Sequence, residues 1–287
     1  MDNDPPTVLI LSVIDMALST PTPFIPDIEK ETPMTHPNDM LPDGSNPEGV
    51  APNPPLGWSG KSDLKDVVVH GPAFSHATTK LRTHLVFAGV PYTHEQHLKA
   101  KPQGIKPNSS YQKVPVIDVA GRQVNDSWII LQNLLPVLDI EMDKDWEDRI
   151  VLELDTTFKL HCTSTDWARL AVATVGAPAM IKWLIGPMLK RMERKQARHN
   201  IATSGLGHRE GDEVAFARDF KRAMRGKFHA GTEPGHADLS FYGFLAGYLY
   251  AGSPIAANMV MQAGLDPWVS AMKKIVPLET LFPKTTK

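Results

Sequence analysis

From residue 63 onward, apolar and polar positions follow first a strand period and then a helical one. Residues 66–70 (DVVVH) form a β-branched run and predict a short buried strand. After Gly71 and Pro72, residues 75–88 (SHATTKLRTHLVFA) have helical spacing, with Leu81, Leu85 and Phe87 on the core face and Gly89 as the stop. Residues 92–98 predict a second strand and 102–110 a polar loop. Residues 114–119 (VPVIDV) predict a third strand, 120–122 a turn and 123–124 a short fourth strand. Asn125, Asp126 and Ser127 supply N-cap chemistry for an apolar helix over 128–138. Beyond residue 146 the pattern is helical, with helices predicted over 146–173, 177–199, 211–225, 237–251 and 265–275. The chain therefore reads as α+β: an α/β unit at 63–140, an all-helical unit at 146–276 and a tail at 277–287, without internal repeats.

Residues 1–62 break this pattern. The first 60 hold 12 of the chain's 25 prolines. They carry nine Asp or Glu against one Lys, a net of −8, while the whole chain carries −2, which leaves +6 for the remainder. Such a segment buries too little apolar surface to fold alone. It reads as an extended acidic arm that lies on a protein partner. Its apolar run at 8–18 (VLILSVIDMAL) contains Asp15 and is shorter than the roughly 20 residues of a spanning helix. Asp2 and Asp4 stand where a secretory signal carries positive charge. The small overall charge excludes the global basic footprint of a nucleic-acid binder. Cys162 is the sole cysteine, which excludes an internal disulfide and a cysteine-based metal cluster.

The chemistry concentrates in residues 109–131, SSYQKVPVIDVAGRQVNDSWIIL. Pro115 cannot donate to a strand ladder, so its position suits a backbone that meets a ligand at Val114. Val114-Pro115 followed by Asp126-Ser127 at a helix start resembles the glutathione-binding half of the glutathione transferases. The order of elements resembles their layout too, a thioredoxin-like domain followed by an all-helical one. The resemblance implies a cis proline that leaves the Val114 backbone free for the cysteinyl part of glutathione. It also implies that the helix start at Ser127 receives the γ-glutamyl carboxylate, where unpaired N–H groups favour an anion. Lys113, Val114, Pro115, Asp126 and Ser127 are the glutathione-binding residues it points to. The blocks SSYQKVPVI, VNDSWII, KLRTHLVFAGVPY and PGHADLSFYGFL, within residues 64–276, resemble the membrane-associated prostaglandin E synthase type-two family.

That family carries a Cys-x-x-Cys motif at the start of the first helix. Here Ser75, His76, Ala77 and Thr78 occupy those positions, so both thiols are missing. A thiolate at a helix N-terminus is a strong nucleophile, and a serine hydroxyl does not replace it in redox chemistry. Ser75 is either a helix N-cap or a hydroxyl that hydrogen-bonds the glutathione thiolate. His76 has no acid near it in sequence and reads as a surface residue. His161 and Cys162 are adjacent and point in different directions on a helix; Cys162 reads as a small core residue. Asp238 resembles the buried capping carboxylate of the glutathione-transferase helical domain. Lys190, Arg191, Arg194, Lys195 and Arg198 form a basic segment after an apolar run interrupted by Pro178, Lys182 and Pro187. It reads as a solvated face, or as a surface for a partner or a membrane.

The expectation is a degenerate glutathione-transferase-like protein without redox thiols, acting as a non-catalytic accessory subunit of a larger complex. Its protein partners would meet the arm and the basic segment, with no metal and no required cofactor. A mitochondrial, inner-membrane-associated location follows from the resemblance alone. The alternative is a glutathione-dependent transferase or isomerase in which Ser75 holds the thiolate.

Overall fold

The computed structural model describes residues 58–96, 114–175, 182–204 and 212–283. Most of the arm, Lys113, the loop predicted over 102–110 and the end of the strand predicted over 92–98 lie outside them. The first unit is built from β1 (Val67–His70), α1 (His76–Phe87), β2 (Tyr92–Glu95), β3 (Val116–Val119), β4 (Arg122–Asn125) and α2 (Ser127–Val137). The sheet order is β2-β1-β3-β4. β1 and β2 are parallel, and β3 is antiparallel to both β1 and β4. Leu81 and Leu85 of α1 pack with Val67, Val69, Ile117, Val119, Ile130 and Leu134 into one core. Phe87 is half-buried and packs instead against the helical core. Gly89 ends the α1 segment at φ 69°, a left-handed backbone that glycine adopts freely.

The second unit holds α3 (Lys144–Arg149), a π-helical turn (Ile150–Leu154), α4 (Asp155–His161), α5 (Ser164–Val175), α6 (Lys182–Ser204) and α7 (Asp212–Ala223). It continues with α8 (His236–Tyr250), α9 (Pro254–Ala263), α10 (Asp266–Ile275) and α11 (Leu278–Leu281). The single helix expected over 146–173 is broken at Cys162 and Thr163. The reason is a reciprocal cap: Thr163 N–H donates to Asp166 Oδ2 at 2.9 Å, and Asp166 N–H donates to Thr163 Oγ1 at 3.2 Å. Helix α9 carries its own signals, Pro254 at its first position and Gly264 at φ 65° after its end. Within the stretch read as a tail, Leu281 and Phe282 are buried in the helical core. Among the described residues, no helix is long and apolar enough to cross a membrane.

The two units meet along α1 and α8. A Cβ on Gly243 would lie 2.7 Å from the Lys80 Cα, so only glycine lets these helices approach so closely. A polar group sits inside this seam. Lys80, 1% exposed, pairs through Nζ with Glu147 Oε1 of α3, also 1% exposed. Glu147 Oε2 lies 3.4 Å from His236 Nε2. The Asp143 N–H donates to His236 Nδ1 at 3.1 Å, which fixes the neutral tautomer with the proton on Nε2. Burial alone would raise Glu147; the Lys80 ammonium and His236 outweigh it and hold the carboxylate well below its usual range.

Removing one partner leaves a buried uncompensated charge. Lys80→Met should therefore destabilise the protein by about 3–5 kcal/mol in urea unfolding, and adding Glu147→Leu should restore most of it. The folded value of Glu147 is lowered from 4.5, so its contribution is present above that pH and is lost on further acidification. An additive double variant would show that the two side chains do not act as a pair.

Candidate functional site

Strand register gathers the candidate residues at one end of the sheet. His70 at the end of β1 pairs with Val116 at the start of β3, and Val116 pairs with Asn125 at the end of β4. The turn leading to Ser75, the Val114-Pro115 step and Asp126-Ser127 are the adjoining residues. The Val114-Pro115 peptide is cis. Val114 is half-buried against Val116, and Pro115 is buried. Asp126 caps α2 from a backbone at φ 72° and ψ 124°. Its Oδ1 accepts the Trp128 N–H at 2.9 Å and the Ile129 N–H at 3.5 Å. Ser127 is the first residue of α2 and is half-buried.

Ser75 is the N-cap of α1, and its Oγ accepts the Thr78 N–H at 3.4 Å. The turn before it depends on Gly71: at φ 150°, a Cβ there would lie 2.3 Å from Thr78 Oγ1. The structure corrects the reading of His76. Its ring packs against Phe244 with centroids 5.3 Å apart, and its side chain is 24% exposed. Its Nδ1 lies 3.4 Å from Asp155 Oδ1, an acid contributed by α4 of the other unit. Burial pushes the imidazole down, against the pull of Asp155, to about 4. At neutral pH His76 is thus an uncharged ring beside a carboxylate, the arrangement that orients a general base.

Asp155 belongs to a wider group. Lys159 Nζ lies 2.7 Å from Asp155 Oδ2 and 3.7 Å from Glu193 Oε2. Burial works against the Lys159 charge, but the two carboxylates outweigh it and raise the ammonium. Burial raises Glu193. Asp155 and Lys159 are an i,i+4 pair within α4, but their contacts with His76 and Glu193, like the Lys80 cluster, join helices far apart in the chain and leave no local sequence signature.

The sole thiol is elsewhere. Cys162 lies in the helical core with no exposed surface, and burial, with the Asp166 charge, pushes its thiol up. His161 Nδ1 faces Glu213 Oε2 at 2.9 Å. Asp238, fully buried at the start of α8, accepts the His229 N–H at 2.9 Å, the Gly235 N–H at 3.0 Å and the Trp268 Nε1–H at 2.8 Å. These contacts tie the loop before α8 to α10. Among the described residues, no cluster of three His, Cys, Asp or Glu is arranged to hold a metal.

No family model matches the chain, and no curated protein matches it. Solved structures do. A glutathione S-transferase from Rhodospirillum rubrum is 17% identical, with 76% of this chain and 93% of that one covered and a TM-score of 0.43. Glutathione S-transferase III in its apo form is 13% identical, covering 76% and 97%, with a TM-score of 0.47. A rice glutathione S-transferase in complex with glutathione is 17% identical, covering 76% and 92%, with a TM-score of 0.41. The chain has a glutathione-transferase fold, a thioredoxin-like four-stranded domain with a cis proline followed by an all-helical domain.

Two measurements check the site chemistry. Ellman's reagent should leave Cys162 unmodified in the native protein and label one thiol per chain in denaturant. His76 stays neutral when folded down to about 4, whereas an unfolded imidazole protonates near 6.5. Stability should therefore fall as pH drops from 6.5 to 4, because only the unfolded state takes up that proton. His76→Gln should flatten this part of the profile, and an unchanged slope would assign the loss to other groups.

Proposed function

We propose that this protein is a glutathione-transferase-fold subunit that has lost thiol chemistry and serves as a non-catalytic component of a larger complex. The observation that carries this reading is the state of the α1 start. Ser75 stands at the first thiol position and caps its own helix, while the sole cysteine is enclosed in the helical core. The blocks around Val114 and Ser127 favour descent from the prostaglandin E synthase type-two family, and the missing thiols remove that family's chemistry. The same resemblance points to mitochondria.

Helix α6 offers a surface for partners. Trp183 is 76% exposed and Leu184 44%, and Arg191, Arg194, Lys195 and Arg198 follow them on exposed positions. The acidic arm has the opposite charge and suits the same kind of contact. A peripheral membrane contact would use the same mixture of Trp and basic residues.

A second reading is favoured by the sheet end itself. The cis Val114-Pro115 step and the helix start at Ser127 support it, as the two parts that a glutathione half-site would use. In this reading glutathione is the cofactor, and Ser75 holds its thiolate in a transferase or isomerase.

Native electrophoresis of the endogenous protein after mild detergent extraction, with mass spectrometry of each slice, tests the first reading. Migration with a large assembly is expected, and a free monomer or dimer with glutathione-dependent turnover would overturn it. Calorimetric titration of glutathione tests the second. If glutathione occupies the half-site, Ser127→Ala should weaken it by about 1–3 kcal/mol. Unchanged affinity would remove the site.

A further inference from the structure

A cavity lies at the edge of the sheet away from Val114 and Ser127. Strand β2 is an outer strand, separated by β1 from β3 and β4, which carry the Val114 and Ser127 segments. The cavity, about 850 Å³, runs between α1, β2, the end of α5 and α11. Val86, Val172, Leu281 and the rings of Tyr92 and Phe282 form its apolar walls, Arg82 lines it as well, and His94, Gln96, Thr174 and Thr280 add polar groups. Ser75, Val114 and Ser127 do not line it. Its volume falls within the roughly 300–1,000 Å³ of small-molecule sites.

Arg82 is the anomaly. It is 1% exposed, among the largest fully buried side chains. Its Nε donates to Tyr92 Oη at 3.2 Å, and Nη2 donates to the Leu281 carbonyl. Its Nη1 is buried without a hydrogen-bond partner. The guanidinium carbon lies 5.8 Å from the Tyr92 ring centroid and 5.9 Å from that of Phe282, so the charge sits between two rings that line the cavity. Among the described residues, no carboxylate lies within ion-pairing distance of it. Burial lowers its proton affinity, but a guanidinium remains charged in a protein. A buried charge without a counter-ion is unfavourable by several kcal/mol. The structure gives the guanidinium two neutral acceptors and, among the described residues, no counter-ion.

We propose that this cavity binds a small amphipathic monocarboxylate, with its carboxylate on Arg82 and its hydrocarbon body along the Val86, Val172 and Phe282 walls. Among the described residues, Arg82 is the one Lys or Arg that lines the cavity, which suits a single negative charge rather than a phosphate dianion. The aliphatic and aromatic walls suit a hydrocarbon chain. A guanidinium pairs carboxylate oxygens with charge-assisted bonds, and the ring faces on either side shield them from water.

The test is calorimetric titration of the full chain with decanoate below its micelle concentration and with decanol below its solubility limit. Decanoate should bind with one-to-one stoichiometry and at least about tenfold more tightly than decanol, the worth of one charged hydrogen bond. Arg82→Met should abolish that preference. Because Arg82 also holds Leu281, a second variant, Ala173→Trp, fills the cavity from α5 and leaves the guanidinium contacts in place. It should remain folded by circular dichroism and lose decanoate binding. Glutathione should not compete, since the cavity does not include the Val114–Ser127 end of the sheet. Equal affinity for acid and alcohol, no binding of either, or binding that survives Ala173→Trp would each overturn the proposal.

Discussion

The arrangement of this molecule depends on one buried ion pair, Lys80 with Glu147, at the point where α1 of the sheet unit meets α3 and α8 of the helical unit. Two ions out of water are tolerated only with good geometry and further hydrogen bonds. The surroundings supply them. His236 turns its Nε2 toward the second oxygen of Glu147, and its other nitrogen is held by the Asp143 backbone. Gly243 lets α8 come near enough to close the seam over the pair. A displaced α8 would open the pair to mismatch, so the pair adds an electrostatic constraint to the apolar packing that places the units.

That placement has a consequence for the sheet end. His76 follows Ser75 directly, and its acid comes from α4 across the seam. The same docking that satisfies Lys80 thus brings Asp155 and Lys159 beside the start of α1. A neutral imidazole beside a carboxylate therefore stands next to a serine that caps its own helix.

How far the sequence was legible depends on the distance over which each signal acts. The β-branched run at 67–70, the Asp126 cap and the cis proline expected from resemblance lie within a few residues of the features they produce. The four-stranded unit was therefore readable from local pattern. The break at Thr163 was also written locally, in the Thr-x-x-Asp spacing, but an apolar helical period across 146–173 masked it. Helix α9 was announced by Pro254 and Gly264 and overlooked beside the stronger period of α8. Asp155 as the partner of His76, and Glu147 as the partner of Lys80, had no local trace. Both are pairings between units, and charge on a helix face does not reveal which distant charge it will meet. Arg82 has no local signature either: it is enclosed because α11 folds over it.

The Arg82 bond to the Leu281 carbonyl spans 199 residues, joining the first helix of the fold to its last. During synthesis α1 leaves the ribosome early, while the segments that enclose it, α3, α8 and α11, emerge in turn afterwards. Domains generally fold as they emerge, N-terminal units first. Helix α1 carries an ammonium and a guanidinium whose enclosing partners belong to the second unit, so its native burial waits until α11 has been made. The sheet unit is born incomplete, and α11 acts as the latch that finishes it.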